Sequence, residues 1–305
     1  MISDIAVASA AGTIWALRSL AKRQPLPLPP MVAYADERQK NVTTTVTYAR
    51  GQKLDIWGPA PAFSGAPCPV MLFIPGGGWM LGERRPQGYA LMSHLVRHGW
   101  ICVAIDYRTA PVHQWPAPYD DVIEAIAWVR DNIARYGGSD FLAVAGASAG
   151  GHMASLAGLT ASHMLGHRPD AVVSLYGSYD WESRRTPWRK TFMTFLETVV
   201  VGKRQATHPE IFNTASPMAN VHPGAPPFLI VHGDRDNLIS VKEARRFRDT
   251  LADVSEETVQ YLEIKGGIHA FDLAHPGQTL TAVATIENFL YDVYQDHRPP
   301  KNSAA

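Results

Sequence analysis

Along this chain, short unbroken apolar runs alternate with longer stretches in which apolar residues recur every three or four positions. VMLFIP (70–75) is a continuous apolar run, as expected of a strand buried on both faces, and WICVAIDY (100–107), FLAVAGAS (141–148), AVVSLYGS (171–178), PFLIVHG (227–233) and TVQYLEI (258–264) read as further strands. Between them, GYALMSHLVRHG (88–99) reads as a helix ending in glycine. A long amphipathic helix follows over 117–138, with Val122, Ile126, Val129 and Ile133 on one face and Gly137 as its stop. Further helices are expected over 149–160, from about Val241 to Leu251, and from about Thr279 to Tyr294. Repeated strand–helix units of this kind predict an α/β fold with a mostly parallel central sheet and helices on both faces.

Two regions break the alternation. VTTTVTYA (42–49) and KLDIWG (53–58) are β-rich and separated by Arg50, Gly51 and Gln52, which predicts an antiparallel hairpin at the N-terminal side of the sheet. From about Trp181 to Pro217 aromatic, basic and proline residues mix without a period. That is long for a connector, so it is expected to be a small cap inserted over the site. Residues 1–40 are expected to add an N-terminal helix and a stiff proline-rich connector (QPLPLPP, 24–30) to the cap. Residues 41–298 then form the main domain, and 299–305 a tail.

Composition narrows the function classes. Lysine plus arginine and aspartate plus glutamate both number 28, giving no net charge, and no basic patch is interleaved with aromatics. A nucleic-acid partner is not expected. The only cysteines are Cys68 and Cys102, too few for a disulfide framework and without zinc-type spacing. Such usage fits a reducing, cytoplasmic setting. The apolar stretch IAVASAAGTIWAL (5–17) is too short to span a bilayer, and its basic residues follow rather than precede it, unlike a signal peptide. It reads as a helix packing over the mouth of the site, with a membrane-surface helix as the alternative.

The candidate chemistry starts at Gly146-Ala147-Ser148-Ala149-Gly150, which lies between a predicted strand and a predicted helix. A chain turning that sharply holds its serine in a strained conformation, and only glycine fits the flanking positions. Serine needs a base, and the base needs an orienting acid. The loop after PFLIVHG offers Asp234 and Asp236, and the loop after TVQYLEI offers His269. Both loops lie at carboxyl ends of strands, where such sheets place their sites. His232, His152 and His275 compete with His269, but none sits on a loop after a later strand. Pro75-Gly76-Gly77-Gly78-Trp79 follows another strand. Three glycines let backbone N–H groups turn inward, and with the N–H of Ala149 they suit an oxyanion. A phosphate-binding reading of this loop lacks the lysine and Ser/Thr of a P-loop.

With PGGGW, Asp106-Tyr107-Arg108-Thr109-Ala110-Pro111, GASAGG, His232-Gly233-Asp234-Arg235-Asp236 and Gly266 through Phe271 in place, the chain resembles the hormone-sensitive-lipase-like and feruloyl-esterase-like branch of the α/β hydrolases. The likeness runs from about Val42 to Val293. It implies a serine hydrolase of carboxylic esters, with Ser148, Asp236 and His269 as catalytic triad and Gly77, Gly78 and Ala149 as oxyanion donors. It also selects Asp236 over Asp234 and implies a structural ion pair between Arg108 and Asp120 or Asp121. Trp79 and the cap are expected to line an apolar pocket for short- to medium-chain acyl groups, without metal or organic cofactor. The alternatives are an amide or formamide hydrolase on the same residues, or a ligand-binding relative without chemistry. Two departures stand out: Pro75 replaces the histidine that usually opens the glycine loop and braces it, and Ala147 replaces an acidic residue before the serine.

Overall fold

A computed structural model describes residues 27–58, 65–160 and 167–297; the expected N-terminal helix and the 299–305 tail lie outside these. Eight strands form one sheet: β1 (Val42–Ala49), β2 (Gln52–Trp57), β3 (Cys68–Ile74), β4 (Ile101–Ile105), β5 (Gly138–Ala147), β6 (Ala171–Leu175), β7 (Phe228–Gly233) and β8 (Val259–Ile264). Their spatial order is β1-β2-β4-β3-β5-β6-β7-β8. β1 pairs with β2, and β2 with β4, antiparallel; every later pair is parallel. The hairpin expected between Val42 and Gly58 is therefore present, turning at Arg50 and Gly51, both with positive φ.

Alternation within the buried strands divides the core in two. Val70, Leu72, Val103, Leu142, Val144 and Val172 belong to one apolar cluster, while Met71, Phe73, Cys102, Ala143, Ala145 and Val173 belong to the other. The helices covering them follow the chain as α1 (Pro30–Ala33), α2 (Glu37–Asn41), α3 (Tyr89–Arg97), α4 (Ala117–Asn132), α5 (Ala149–Thr160), α6 (Pro187–Phe195), α7 (Pro209–Thr214), α8 (Val241–Val254), α9 (Phe271–Ala274) and α10 (Pro276–His297). Cys68 and Cys102 are buried and unpaired. None of the described helices is long and apolar enough to cross a membrane.

Some boundaries differ from the sequence reading for local reasons. α4 stops at Asn132 and continues as a 3₁₀ turn to Tyr136; Gly137, at φ 88°, supplies the left-handed cap that ends it. α10 starts at Pro276 rather than Thr279, because proline is accommodated where no helical N–H is needed. Pro30, expected to end an extended connector, opens a short helix for the same reason.

The stretch between β6 and β7 carries the largest difference from an irregular reading. It holds α6, a π-turn over Leu196–Val200, α7 and a 3₁₀ turn over Pro217–Asn220. It is anchored to α8 by buried Glu243, which accepts the N–H groups of Tyr179 (2.8 Å) and Asp180 (3.1 Å) and pairs with Arg189 (3.1 Å). Of the two aspartates expected near Arg108, Asp121 makes the ion pair, with Nε and Nη2 2.7–3.0 Å from its oxygens. Asp121 is fully buried, so this bidentate contact fixes the approach to α4.

Candidate active site

β5 ends at Ala147 and α5 begins at Ala149, leaving Ser148 alone on the turn at φ 54°. A non-glycine residue there is strained, and the surrounding backbone holds it so. The tightness explains the neighbouring glycines: a Cβ on Gly146 would lie 2.2 Å from the Gly150 carbonyl oxygen, and one on Gly150 2.0 Å from that of Ile74. The serine hydroxyl emerges at the carboxyl ends of the parallel strands, above the N-terminus of α5.

β7 delivers Asp236 and β8 delivers His269 to the same point. His269 Nε2 lies 2.8 Å from Ser148 Oγ, and His269 Nδ1 lies 2.8 Å from Asp236 Oδ2. The Asp236 carboxylate is fully buried and accepts the N–H groups of Leu238 and Ile239 at Oδ1, each at 2.8 Å. Burial opposes its ionisation, but hydrogen bonds from His232 and His269 outweigh that and hold the carboxyl well below its usual range. An ionised Asp236 accepts a hydrogen bond from Nδ1–H and so keeps the proton on that nitrogen, which leaves Nε2 as the acceptor facing the serine. Asp234 points elsewhere: its Oδ1 accepts the N–H of Gly266 at 2.6 Å, tying the acid loop to the histidine loop.

The competing histidines have other partners. His232 Nε2 lies 2.9 Å from the Ile239 carbonyl oxygen and 3.3 Å from Asp236 Oδ2, so it backs the acid rather than the serine. His152 is fully buried, stacked on Trp181 with ring centroids 4.4 Å apart. Its Nδ1 accepts from Trp79 Nε1 at 3.3 Å, and its Nε2 donates to the Ala215 carbonyl oxygen at 2.7 Å. Burial pushes its imidazole down to about 3, against a small opposing pull from the Ala215 bond. It is neutral and tautomerically fixed. Among the described residues, the hydrogen bonds of His275 are made by its main chain, whose N–H donates to the Phe271 carbonyl oxygen and whose carbonyl oxygen accepts from Thr279 at the start of α10.

The glycine loop lies across the serine. Gly77 and Gly78 both have positive φ, 135° and 60°, and a Cβ on Gly77 would lie 2.5 Å from Leu81. Among the described residues, their N–H groups donate to no protein acceptor. Ala149, at the first position of α5, has an N–H with no intrahelical acceptor by construction of a helix. Gly76 is held by Gln87, which accepts its N–H at 2.8 Å and donates to its carbonyl at 3.3 Å. Tyr107 donates to the carbonyl oxygens of Pro75 and Leu81, each at 3.0 Å.

Beside Ser148 opens a cavity of about 370 Å³, lined by the glycine loop and Trp79 below and by Trp188, Phe192 and Phe195 above. Trp79 contributes an edge of the wall, since it is almost wholly buried. Sequence reasoning did not name the α6 residues, although Trp188, Thr191, Phe192 and Phe195 repeat at the spacing of one helix face. Nor did it name Tyr176, whose ring meets that of His269 edge-on at 5.0 Å and whose hydroxyl donates to Asp272.

A sheet in this order, with a serine on the turn after β5 and the acid and histidine loops after β7 and β8, is the α/β-hydrolase fold. The chain belongs to the BD-FAE family, whose profile matches residues 54–251. It is 47% identical to Esterase LipC of Mycobacterium tuberculosis over 254 residues, covering 80% of this chain and 63% of LipC. It is 37% identical to Esterase LipQ of the same organism, covering 90% of this chain and 68% of LipQ. The chain thus spans less than two thirds of LipC. Among solved structures, the hyperthermophilic esterase of Pyrobaculum calidifontis matches with a TM-score of 0.72 at 21% identity, covering 86% of this chain and 88% of that one. Esterase 2 of Thermogutta terrifontis matches with a TM-score of 0.71, also at 21%, covering 88% and 96%.

Proposed function

We propose that the protein hydrolyses carboxylic esters through an acyl-serine intermediate. The observation that carries this reading is the unbroken chain of contacts from Asp236 through His269 to Ser148, at 2.8 Å on each side of the imidazole. Ser148 Oγ attacks the ester carbonyl while its proton passes to His269 Nε2. The same proton then goes to the departing alkoxide, which leaves as the alcohol. Water repeats the attack on the acyl-serine, again giving its proton to Nε2, and the acid is released as Ser148 recovers its hydrogen. Asp236 keeps Nδ1 protonated and stabilises the imidazolium formed in each half. The N–H groups of Gly77, Gly78 and Ala149 hold the oxyanion; each such donor is worth about 100- to 1000-fold in rate.

The names of LipC and LipQ support ester hydrolysis, and the apolar cavity supports acyl groups of short to medium length. Residues 181–217 act as the cap of a single domain, with α6 forming the roof of that cavity. The test is Ser148→Ala together with active-site labelling. The wild type should turn over aryl esters and take up one fluorophosphonate at Ser148; the alanine variant should fold, lose roughly a million-fold in turnover, and remain unlabelled. Labelling at a different serine, or unchanged turnover, defeats the assignment.

A further inference from the structure

Away from the catalytic serine, α3 and α10 pack side by side and bring together three side chains the proposed reaction does not use. His94 and His98 lie four residues apart at the end of α3, so both project from one face. Glu287 projects from α10 between them. Its Oε2 is 2.7 Å from His94 Nε2 and its Oε1 is 3.2 Å from His98 Nδ1. The two imidazoles stand 4.4 Å apart between centroids, and one donor atom from each of the three residues lies within 4.8 Å of the others.

We propose that His94, His98 and Glu287 form a binding site for a transition-metal dication of the Zn²⁺, Ni²⁺ or Cu²⁺ kind. Two imidazoles with one carboxylate select borderline metals over Ca²⁺ and Mg²⁺, which require sets of oxygen ligands. A tetrahedral ion with ligand bonds of about 2.1 Å holds its donors about 3.4 Å apart. The observed donors need only small side-chain rotations to reach that separation. His98 is half exposed, while His94 and Glu287 are about one quarter exposed, so an ion can enter and keep water in a fourth position.

The hydrogen bonding defines what the ion must displace. His98 Nδ1 faces both Glu287 and the His94 carbonyl oxygen, at 2.9 Å, so without metal that nitrogen carries a proton. His94 Nε2 does the same toward Glu287. Coordination sends each of these protons to the opposite ring nitrogen. α3 is the first helix after the glycine loop, and α10 follows the short α9 that begins after the loop of His269. A bound ion thus ties together the two helices that leave the candidate site, stabilising the fold without touching the reaction.

The probe is ZnCl₂ added to full-length, tag-free protein after chelator treatment, followed by calorimetric titration and thermal unfolding. We expect one zinc per chain and a rise in Tm of about 5 °C at a hundredfold excess over Kd. Both effects should be lost in His98→Gln and in Glu287→Gln, with ester turnover of the metal-free variants within twofold of wild type. MgCl₂ and CaCl₂ should give neither. Absence of stoichiometric zinc binding in the wild type overturns the proposal, and so does equal binding by His98→Gln, whose half-exposed position leaves folding intact. Turnover of the metal-free wild type is read separately, so failure of this site leaves the hydrolase reading where it stands.

Discussion

The neutral imidazole of His152 makes acid stability a direct probe of how the site is built. Folded, burial holds this group at about 3, whereas its ordinary value is 6.5. The unfolded chain therefore takes up a proton first as pH drops. Stability contributed by His152 is intact above about pH 6.5, declines between 6.5 and about 3, and is gone below that. The slope is about 1.4 kcal/mol per pH unit. Between pH 7.5 and 4.5 the loss sums to about 2.7 kcal/mol, a large fraction of a typical domain's margin. His152→Gln removes the titration while an amide can still accept from Trp79 Nε1 and donate to the Ala215 carbonyl oxygen. Urea unfolding of both proteins at a series of pH values isolates the effect, because the remaining carboxylates titrate alike in the two. At pH 7.5 the variant should be the less stable; by pH 4.5 its deficit should have shrunk by about 2.7 kcal/mol. A gap that stays constant with pH would mean His152 binds its proton in the folded state, and the fixed-tautomer description of the Trp79–His152–Ala215 chain would be wrong.

Three further outcomes are expected. Asp236→Asn should lower turnover about 10,000-fold by favouring the wrong histidine tautomer, while Asp234→Asn, whose amide oxygen can still accept from Gly266, should stay within tenfold; the reverse ranking in esterase assays would refute the assignment. Pro75→His should change turnover by less than about tenfold, since neither side chain donates to an oxyanion, and a large activation would contradict this. Phe195→Ala enlarges the cavity beside Gly78, where a Cβ added to the glycine would lie 3.9 Å from the Phe195 ring; each further buried methylene, worth about 0.8 kcal/mol, should then favour longer acyl chains by roughly fourfold, and an unchanged chain-length optimum across aryl esters would argue that the acyl group lies elsewhere.

Much of this fold is legible in the sequence because its signals are local. Strands β3 to β7 are buried on both faces and read as unbroken apolar runs, and the glycines at 146, 150 and 151 announce the turn around Ser148. The position of β4 outside β3 is not legible, since periodicity reports burial but not neighbours. α6 escapes a sequence reading for a different reason. Arg184 and Arg185 precede it, Pro187 opens it and a π-turn follows, so its apolar face, set by Trp188, Phe192 and Phe195, covers only two turns between breaks. The contacts of His94 and His98 with Glu287 join positions about 190 residues apart and depend wholly on how α3 meets α10. Which aspartate serves His269 is likewise open on spacing alone, and only the resemblance chooses; the loop geometry separates them, with Asp236 on the imidazole and Asp234 on the backbone of Gly266.

Pro75 stands where the resemblance implies a bracing histidine, and the loop after it is held by contacts from elsewhere. Three glycines in a row leave the backbone slack unless something outside it sets the conformation. Here Tyr107 holds the carbonyls at both ends of the loop, Pro75 and Leu81, and Gln87 closes on both polar groups of Gly76. Trp79 extends from its far side into the His152 and Trp181 rings. Proline adds a fixed φ at the start and gives up only an N–H. The bracing thus comes from two residues outside the loop, Tyr107 and Gln87, and from Trp79 within it, which reaches through His152 to Ala215 in the segment between β6 and β7. The loop that faces the serine and the roof of the cavity are consequently one mechanical unit, and a substitution at His152 should disturb both together.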